Sequence, residues 1–337
     1  MKFAVIGTGR ITEELLRCGK SFPDFEPYAV LSRSAERGRE YAERHGLTRC
    51  VTTLSELAAL REVEAVYIAS PNVCHAAQAE AMLSAGKHVF LEKPAVPTEA
   101  ELKRLYSIAD RRGLVLMEGM RTLHTPGFRA LREALPRVGT LRRASISYCQ
   151  YSRRYDNYRR GVVENAFDPT LCNGALMDIG VYCCASAVAL FGEPEDVRCG
   201  AWKLDNGLDA MGTVLCLYDG FLCDLTYGKI SDTRRPSEIQ GESGTLLYDP
   251  PTNPSRIVFV SRTGERETVY SDGTADFYGM EHELRDFLAA AAHPAGAAEN
   301  TALCRAESLA AVRLTERVRR ELDINFKNTS HEGGARG

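Results

Sequence analysis

Between Lys2 and Glu118 the chain repeats one pattern, a short apolar run followed by a longer stretch of helical spacing. The runs KFAVIG, YAVLS, EAVYIAS, HVFLE and LVLME read as strands. The intervening segments 11–22, 34–45, 73–86 and 98–112 carry apolar residues at helical intervals. Thr98 and Glu101 have capping-box spacing, and Gly46, Gly86 and Gly113 follow helix ends where a left-handed residue is wanted. Strands alternating with helices of this length predict right-handed βαβ units, hence an α/β domain with a doubly wound parallel sheet over residues 1–120.

The pattern changes after about Pro126. A helix is expected over 126–135, a long alternating strand over 141–152, and a polar, Arg- and Tyr-rich loop over 153–165. A helix over about 174–191 follows, a largely apolar run that nonetheless carries Asp178 and Tyr182. Beyond Gly192, alternating segments separated by Gly, Asp, Asn and Pro turns (196–204, 210–218, 221–228, 237–243, 244–249 and 255–261) predict an antiparallel meander. Two helices, over 277–292 and 301–322, complete the second domain (121–325), allowing for a helix that packs back on the first. Residues 326–337 are expected to be a disordered tail, and the Asn328 sequon within it carries no message in a cytosolic protein.

At 337 residues with a net charge of −3 the chain can build two cores, and it lacks the basic excess that nucleic acid or an anionic membrane would demand. MKFAVIGTGR ends its apolar run in glycines and an arginine, so it reads as a first strand and not a signal peptide. No run is counted at the roughly 18 apolar residues that span a bilayer. The eleven cysteines are scattered without a C-x-x-C pair, which predicts buried reduced thiols in a cytoplasmic protein and no metal site.

The first strand runs directly into Gly7-Thr8-Gly9-Arg10-Ile11-Thr12. Gly7 permits the tight turn, Gly9 lets the backbone approach a pyrophosphate, and the helix opening at Arg10 and Ile11 offers N–H groups and the positive end of its dipole. Thr12 stands where Gly or Ala is usual. The second strand ends in Leu31-Ser32-Arg33-Ser34, where an NAD-binding fold places an acid on the adenosine ribose. A hydroxyl beside an Arg fork suits a 2′-phosphate instead, which favours NADP(H) with NAD still possible; alternatively Ser34 simply caps the next helix and Arg33 faces solvent.

Four motifs in order complete a resemblance: this glycine loop, Ala69-Ser70-Pro71-Asn72-x-x-His75, Leu91-Glu92-Lys93-Pro94, and Gly174-Ala-x-x-Asp178-x-Gly-x-Tyr182. Together they resemble the Gfo/Idh/MocA oxidoreductase family over nearly the whole chain. The resemblance implies a Rossmann domain followed by an α+β domain with a large open, predominantly antiparallel sheet, whose outer face commonly joins subunits into a homodimer or homotetramer. It implies Lys93 as the catalytic lysine, Glu92 beside it, a cis peptide before Pro94, and Ser70, Pro71, Asn72 and His75 lining the nicotinamide half. Tyr182 in place of the His of inositol dehydrogenases is similar to the dihydrodiol dehydrogenase and NADP-dependent xylose dehydrogenase subgroup. Arg121 and Leu123 depart from that subgroup's Trp and Arg, near the nicotinamide, and His124 beside them either faces the substrate or lies on the surface.

Hydride exchange at a carbinol carbon needs a bound nicotinamide, a group that exchanges the hydroxyl proton, and positive charge near the developing alkoxide. Lys93 can supply the charge. A phenol is a poor base near neutrality, but an ammonium within about 4–6 Å favours its ionised form, so Lys93 and Tyr182 form a candidate proton-exchanging pair whose formal acid/base is left open. Asp178, one turn before Tyr182, would orient Lys93 or accept a substrate hydroxyl. The predicted activity is an NADP(H)-dependent oxidoreductase acting on a secondary alcohol or ketone of a sugar, glycoside, polyol or dihydrodiol. The alternatives are a glycosidase or lyase that oxidises its sugar transiently and a non-catalytic dinucleotide sensor.

Overall fold

The computed structural model describes residues 1–273 and 279–326. The predicted tail falls almost wholly outside these residues, as does the start of the helix expected at 277. Six strands form the first sheet: β1 (Lys2–Ile6), β2 (Glu26–Leu31), β3 (Arg49–Val51), β4 (Ala65–Ile68), β5 (His88–Glu92) and β6 (Leu116–Gly119). All pair in parallel in the order β3-β2-β1-β4-β5-β6. β3 is an addition to the predicted set; three half-exposed residues carry no apolar run to find. The strand order reverses between β1 and β4, the place where doubly wound sheets bind ligands.

The local signals explain the crossover helices. Ser34 caps helix 35–45 by accepting the Arg37 N–H at 3.3 Å, and Thr98 caps helix 99–112 from Glu101 at 3.3 Å. Gly46 and Gly113 end their helices in the left-handed region, at φ 71° and 64°.

The second sheet has eight strands: β7 (Leu141–Cys149), β8 (Asp196–Lys203), β9 (Asp209–Tyr218), β10 (Phe221–Gly228), β11 (Ser237–Gly241), β12 (Gly244–Asp249), β13 (Arg256–Ser261) and β14 (Arg266–Ser271). Their order is β14-β13-β12-β11-β7-β10-β9-β8, antiparallel except for the β7/β10 pair. β14, RETVYS, was not anticipated because its charged half reads as a loop. The segment expected to be a loop over 153–165 contains a short helix, Arg153–Arg159. Its Tyr155 and Tyr158 rings pack on Phe167, a tertiary contact with no periodic signature.

One face of the second sheet is covered by helix 181–191, with Cys183, Cys184, Ala185 and Ala187 at or below 1% exposure. The stretch Pro169–Phe191 does pass as a bilayer span on length and mean hydropathy, against the count made on sequence, but 78% of its most apolar window is buried inside the protein. The last two helices return to the first sheet, one on each face. Phe287 of helix 280–292 stacks on Phe90 and meets Phe3 edge-on. Helix 298–321 places Val312 in the core of the opposite face and Ala311, Leu314 and Val318 in that of the second sheet. Arg313 on Glu99 and Arg319 on the Pro97 carbonyl tie the same helix to the first half.

Candidate active site

The carboxyl ends of β1, β4, β5 and β6 meet the start of helix 181–191 across a cleft of about 510 Å³. Gly7 turns the chain at φ +109°, and a Cβ there would sit 2.5 Å from the Ala69 carbonyl, so only glycine lets the two loops touch. Gly9 caps helix 10–19 without a side-chain hydrogen bond, and a Cβ on it would meet nothing within 4 Å. The result is an open cradle at a helix N-terminus, with Gly9, Arg10 and Ile11 facing the cleft. It fits the pyrophosphate of a dinucleotide. Ser32 and Arg33 lie at the end of β2, outside the cleft lining; Ser32 Oγ donates to the Ser34 carbonyl at 3.0 Å and the Arg33 side chain is exposed.

The next two motifs clasp each other. His75 is fully buried, with Nε2 2.9 Å from the Ser70 carbonyl and Nδ1 3.1 Å from the Pro94 carbonyl. Burial lowers its pKa, against the pull of these carbonyls. It thus staples the loop after β4 to the loop after β5, whose Lys93-Pro94 peptide is cis. Ser70 Oγ donates to Gln78 at 2.6 Å, and Pro71 leads into a single turn over 72–74. Asn72 reaches across to the second domain, donating to the Cys172 carbonyl at 2.9 Å and to Asn173 at 3.0 Å. Beneath Lys93, Glu92 accepts from the Tyr67 hydroxyl at 2.5 Å and from the Lys93 N–H at 3.2 Å.

The segment GALMDIGVY is not a plain α-helix. It opens with a π-helical turn, Leu176–Gly180, and becomes α-helical from Val181. Wide turns of this kind are frequent at functional sites. Asp209 fixes its start, accepting the Leu176 N–H at 2.6 Å, and approaches Gly174 so closely that a Cβ would fall 2.2 Å from Oδ1. Gly180 lies against the Tyr227 ring, with room for no side chain. Burial pushes the Asp209 carboxyl up to about 6.

So anchored, Asp178 meets Lys93. The ammonium donates to Oδ1 at 3.1 Å and to the Asp178 carbonyl at 3.0 Å, and lies 5.0 Å from the centre of the Tyr182 ring. The Tyr182 hydroxyl faces the cleft without a hydrogen bond to any described residue, and Tyr148 packs edge-on against its ring. Arg121 stands at 5.9 Å from the same ring. His124 is not among the cleft-lining residues; it is 5% exposed and pairs with Asp286 at 2.7 Å.

The structure also adds charged residues that no motif flagged, Lys229 and Glu283 among them. Lys229 pairs with the other Asp178 oxygen, and Glu283, 1% exposed, lines the cleft from helix 280–292. Burial would raise the Asp178 pKa, but the two ammonium groups hold it far below the usual carboxylate range. Its side chain keeps 35% exposure toward the cleft, so water there screens part of this effect. Among the described residues no group of three or more His, Cys, Asp or Glu side chains is placed to hold a metal.

A glycine cradle at a strand-order reversal, with the Lys93 ammonium at the end of β5 meeting the Asp178 carboxylate and the Tyr182 phenol, fits an oxidoreductase of the NAD(P) class. Comparison with known proteins agrees. The family description "Oxidoreductase family, NAD-binding Rossmann fold" matches residues 1–120, and "GFO/IDH/MocA C-terminal domain" matches 128–247. The chain belongs to the Gfo/Idh/MocA family. It is 46% identical to scyllo-inositol 2-dehydrogenase (NADP(+)) IolU of Bacillus subtilis, over 80% of this chain and 82% of that one. It is 26% identical to trans-1,2-dihydrobenzene-1,2-diol dehydrogenase of Macaca fascicularis, over 98% and 99%. Among solved structures, KijD10, a 3-ketoreductase from Actinomadura kijaniata in complex with NADP and TDP-benzene, superposes with TM-score 0.79 at 25% identity, covering 95% of this chain and 97% of that one.

Proposed function

We propose that this protein is an NADP(H)-dependent dehydrogenase or reductase acting on a secondary alcohol or ketone of a polyol, sugar, glycoside or dihydrodiol. The reading rests on one observation: Lys93, at the end of β5, meets Asp178 and Tyr182 of the second domain inside the cleft that the glycine cradle opens onto. The bound nicotinamide accepts or supplies the hydride. Gly7, Gly9, Arg10 and Ile11 would hold the pyrophosphate, and Ser32 and Arg33, at the end of β2, would meet the 2′-phosphate of NADP. NADP is also the cofactor in the names of the inositol dehydrogenase and the ketoreductase complex.

Tyr182 and Lys93 exchange the hydroxyl proton as a pair, and the Lys93 ammonium stabilises the charge on the reacting oxygen. Asp178 holds that ammonium in place through two contacts, and Arg121 and Tyr148 pack beside the phenol ring. Residues 1–120 act as the cofactor domain and 121–325 as the substrate domain. The outer face of the second sheet, where Trp202 is 67% and Leu222 44% exposed, pairs subunits into a homodimer or homotetramer, which light scattering would detect.

The decisive experiment is a screen of inositols, sugars, glycosides and dihydrodiols with NADP⁺ and NAD⁺, run beside Lys93→Met. Turnover with NADP⁺ that the substitution lowers by about 10³-fold or more is the expected result. Undiminished activity in the variant would sink the site assignment. Turnover without net release of NADPH would instead favour transient oxidation.

A further inference from the structure

Asp178 carries two cations where orientation of Lys93 needs only one. Lys229 follows β10 and is fixed by backbone on both sides, its N–H donating to the Ala210 carbonyl at 2.9 Å and its carbonyl accepting from Ser152 at 2.9 Å. It is 4% exposed. Its ammonium pairs with Asp178 Oδ2 while Lys93 holds Oδ1. The Phe167 ring lies 5.7 Å from that ammonium, and the buried Asp209 carboxylate also feels its charge. A buried ammonium is costly, and an apolar residue of similar length would pack there at less expense if stability alone were served.

Charge balance supplies a reason. A carboxylate paired with Lys93 alone would cancel much of the field of that ammonium at the Tyr182 phenol and at the oxygen where charge develops. Two ammonium groups on one carboxylate leave the cluster with one net positive charge. We propose that Lys229 is a positioning residue that neutralises Asp178, so that Asp178 can aim Lys93 without quenching its charge. The inference rests on the proposed role of Lys93 and Tyr182. Other charged groups border the cluster: Glu92 accepts from the Lys93 N–H, Arg121 stands by the Tyr182 ring, and the buried Asp209, which holds the Leu176 N–H, feels the charge of Lys229.

A charge-compensation cycle on the NADP⁺-loaded enzyme tests it: Lys229→Met, Asp178→Asn, the double variant, and Lys229→Arg. Lys229→Met is expected to lower kcat about 100-fold with KM moved less than about threefold, and Lys229→Arg to recover at least about tenfold of that loss. With Asp178→Asn already in place, the side chain on Lys93 carries no charge to be neutralised, and Lys229→Met should cost less than about fivefold. NADP⁺ affinity, read by fluorescence, should stay within about twofold throughout, which separates the effect from misfolding. If Lys229→Met fails this binding check, Lys229→Gln carries the same cycle. Equal losses in both backgrounds, or a loss confined to KM, would overturn the proposal. Retained turnover in Lys93→Met would instead overturn the active-site reading, so the two failures are distinguishable.

Discussion

At the residue scale, Asp178 and Tyr182 of the apolar segment 174–191 both line the cleft, and Asp178 is paired there with two ammonium groups. Tyr182 presents a hydroxyl with no hydrogen-bond partner among the described residues, and its loss should be felt in turnover: Tyr182→Phe is expected to reduce kcat by about 10²- to 10³-fold with little change in NADP⁺ affinity. Steady-state kinetics beside a cofactor titration check this. Arg33→Ala should weaken NADPH binding about tenfold more than NADH binding, because only the former carries the 2′-phosphate. Equal weakening would move the selectivity elsewhere. Asp209 gives a pH signature. Its folded-state pKa, about 6, lies above the ordinary 3.8, so its stabilising contribution is complete below about pH 3.8 and is lost as pH rises through about 6. Asp209→Asn cannot ionise, and its thermal stability relative to the parent should therefore improve as pH rises from 4 to 7, by at most about 3 kcal/mol. A difference that stays flat with pH would mean the carboxyl is not perturbed.

At the scale of elements, the glycine loop and the π-helical turn are two answers to one demand, that backbone come close to something else. Gly7→Ala would set a Cβ against the Ala69 carbonyl at φ +109°, and a NADPH affinity at least about 100-fold lower is expected from fluorescence titration. The parallel sheet, its crossover helices and their caps were legible because each depends on local spacing, as with Ser34, Thr98 and Gly113. β3, β14 and helix 153–159 were not legible, since pairing with a neighbouring strand or a Tyr-on-Phe167 contact decides them. The π turn was equally hidden: the residues Gly174 to Tyr182 read as an ordinary helix until Asp209 and Tyr227, distant in sequence, are seen pressing on it.

At the scale of the molecule, the last two helices make the two halves interdependent. Phe287, fully buried against Phe3 and Phe90, brings a helix near the end of the chain into a core built on strands of the first sheet. Phe287→Ala should destabilise the protein by about 3–5 kcal/mol in denaturant unfolding and lower cofactor binding with it, although Phe287 does not line the cleft. Unchanged NADP⁺ binding at the denaturant concentration that unfolds the first domain would contradict this coupling. The sequence alone determined the alternation of strands and helices and the glycine loop, and it singled out Lys93, Asp178 and Tyr182 as candidates, because period, turn chemistry and ordered motifs are local properties of a chain. Tertiary structure decided that His124 turns from the cleft to Asp286, that Asn72 bridges the domains, and that Lys229 and Glu283 join the site. Those outcomes rest on electrostatic and steric contacts between segments far apart in sequence, and no local pattern encodes them.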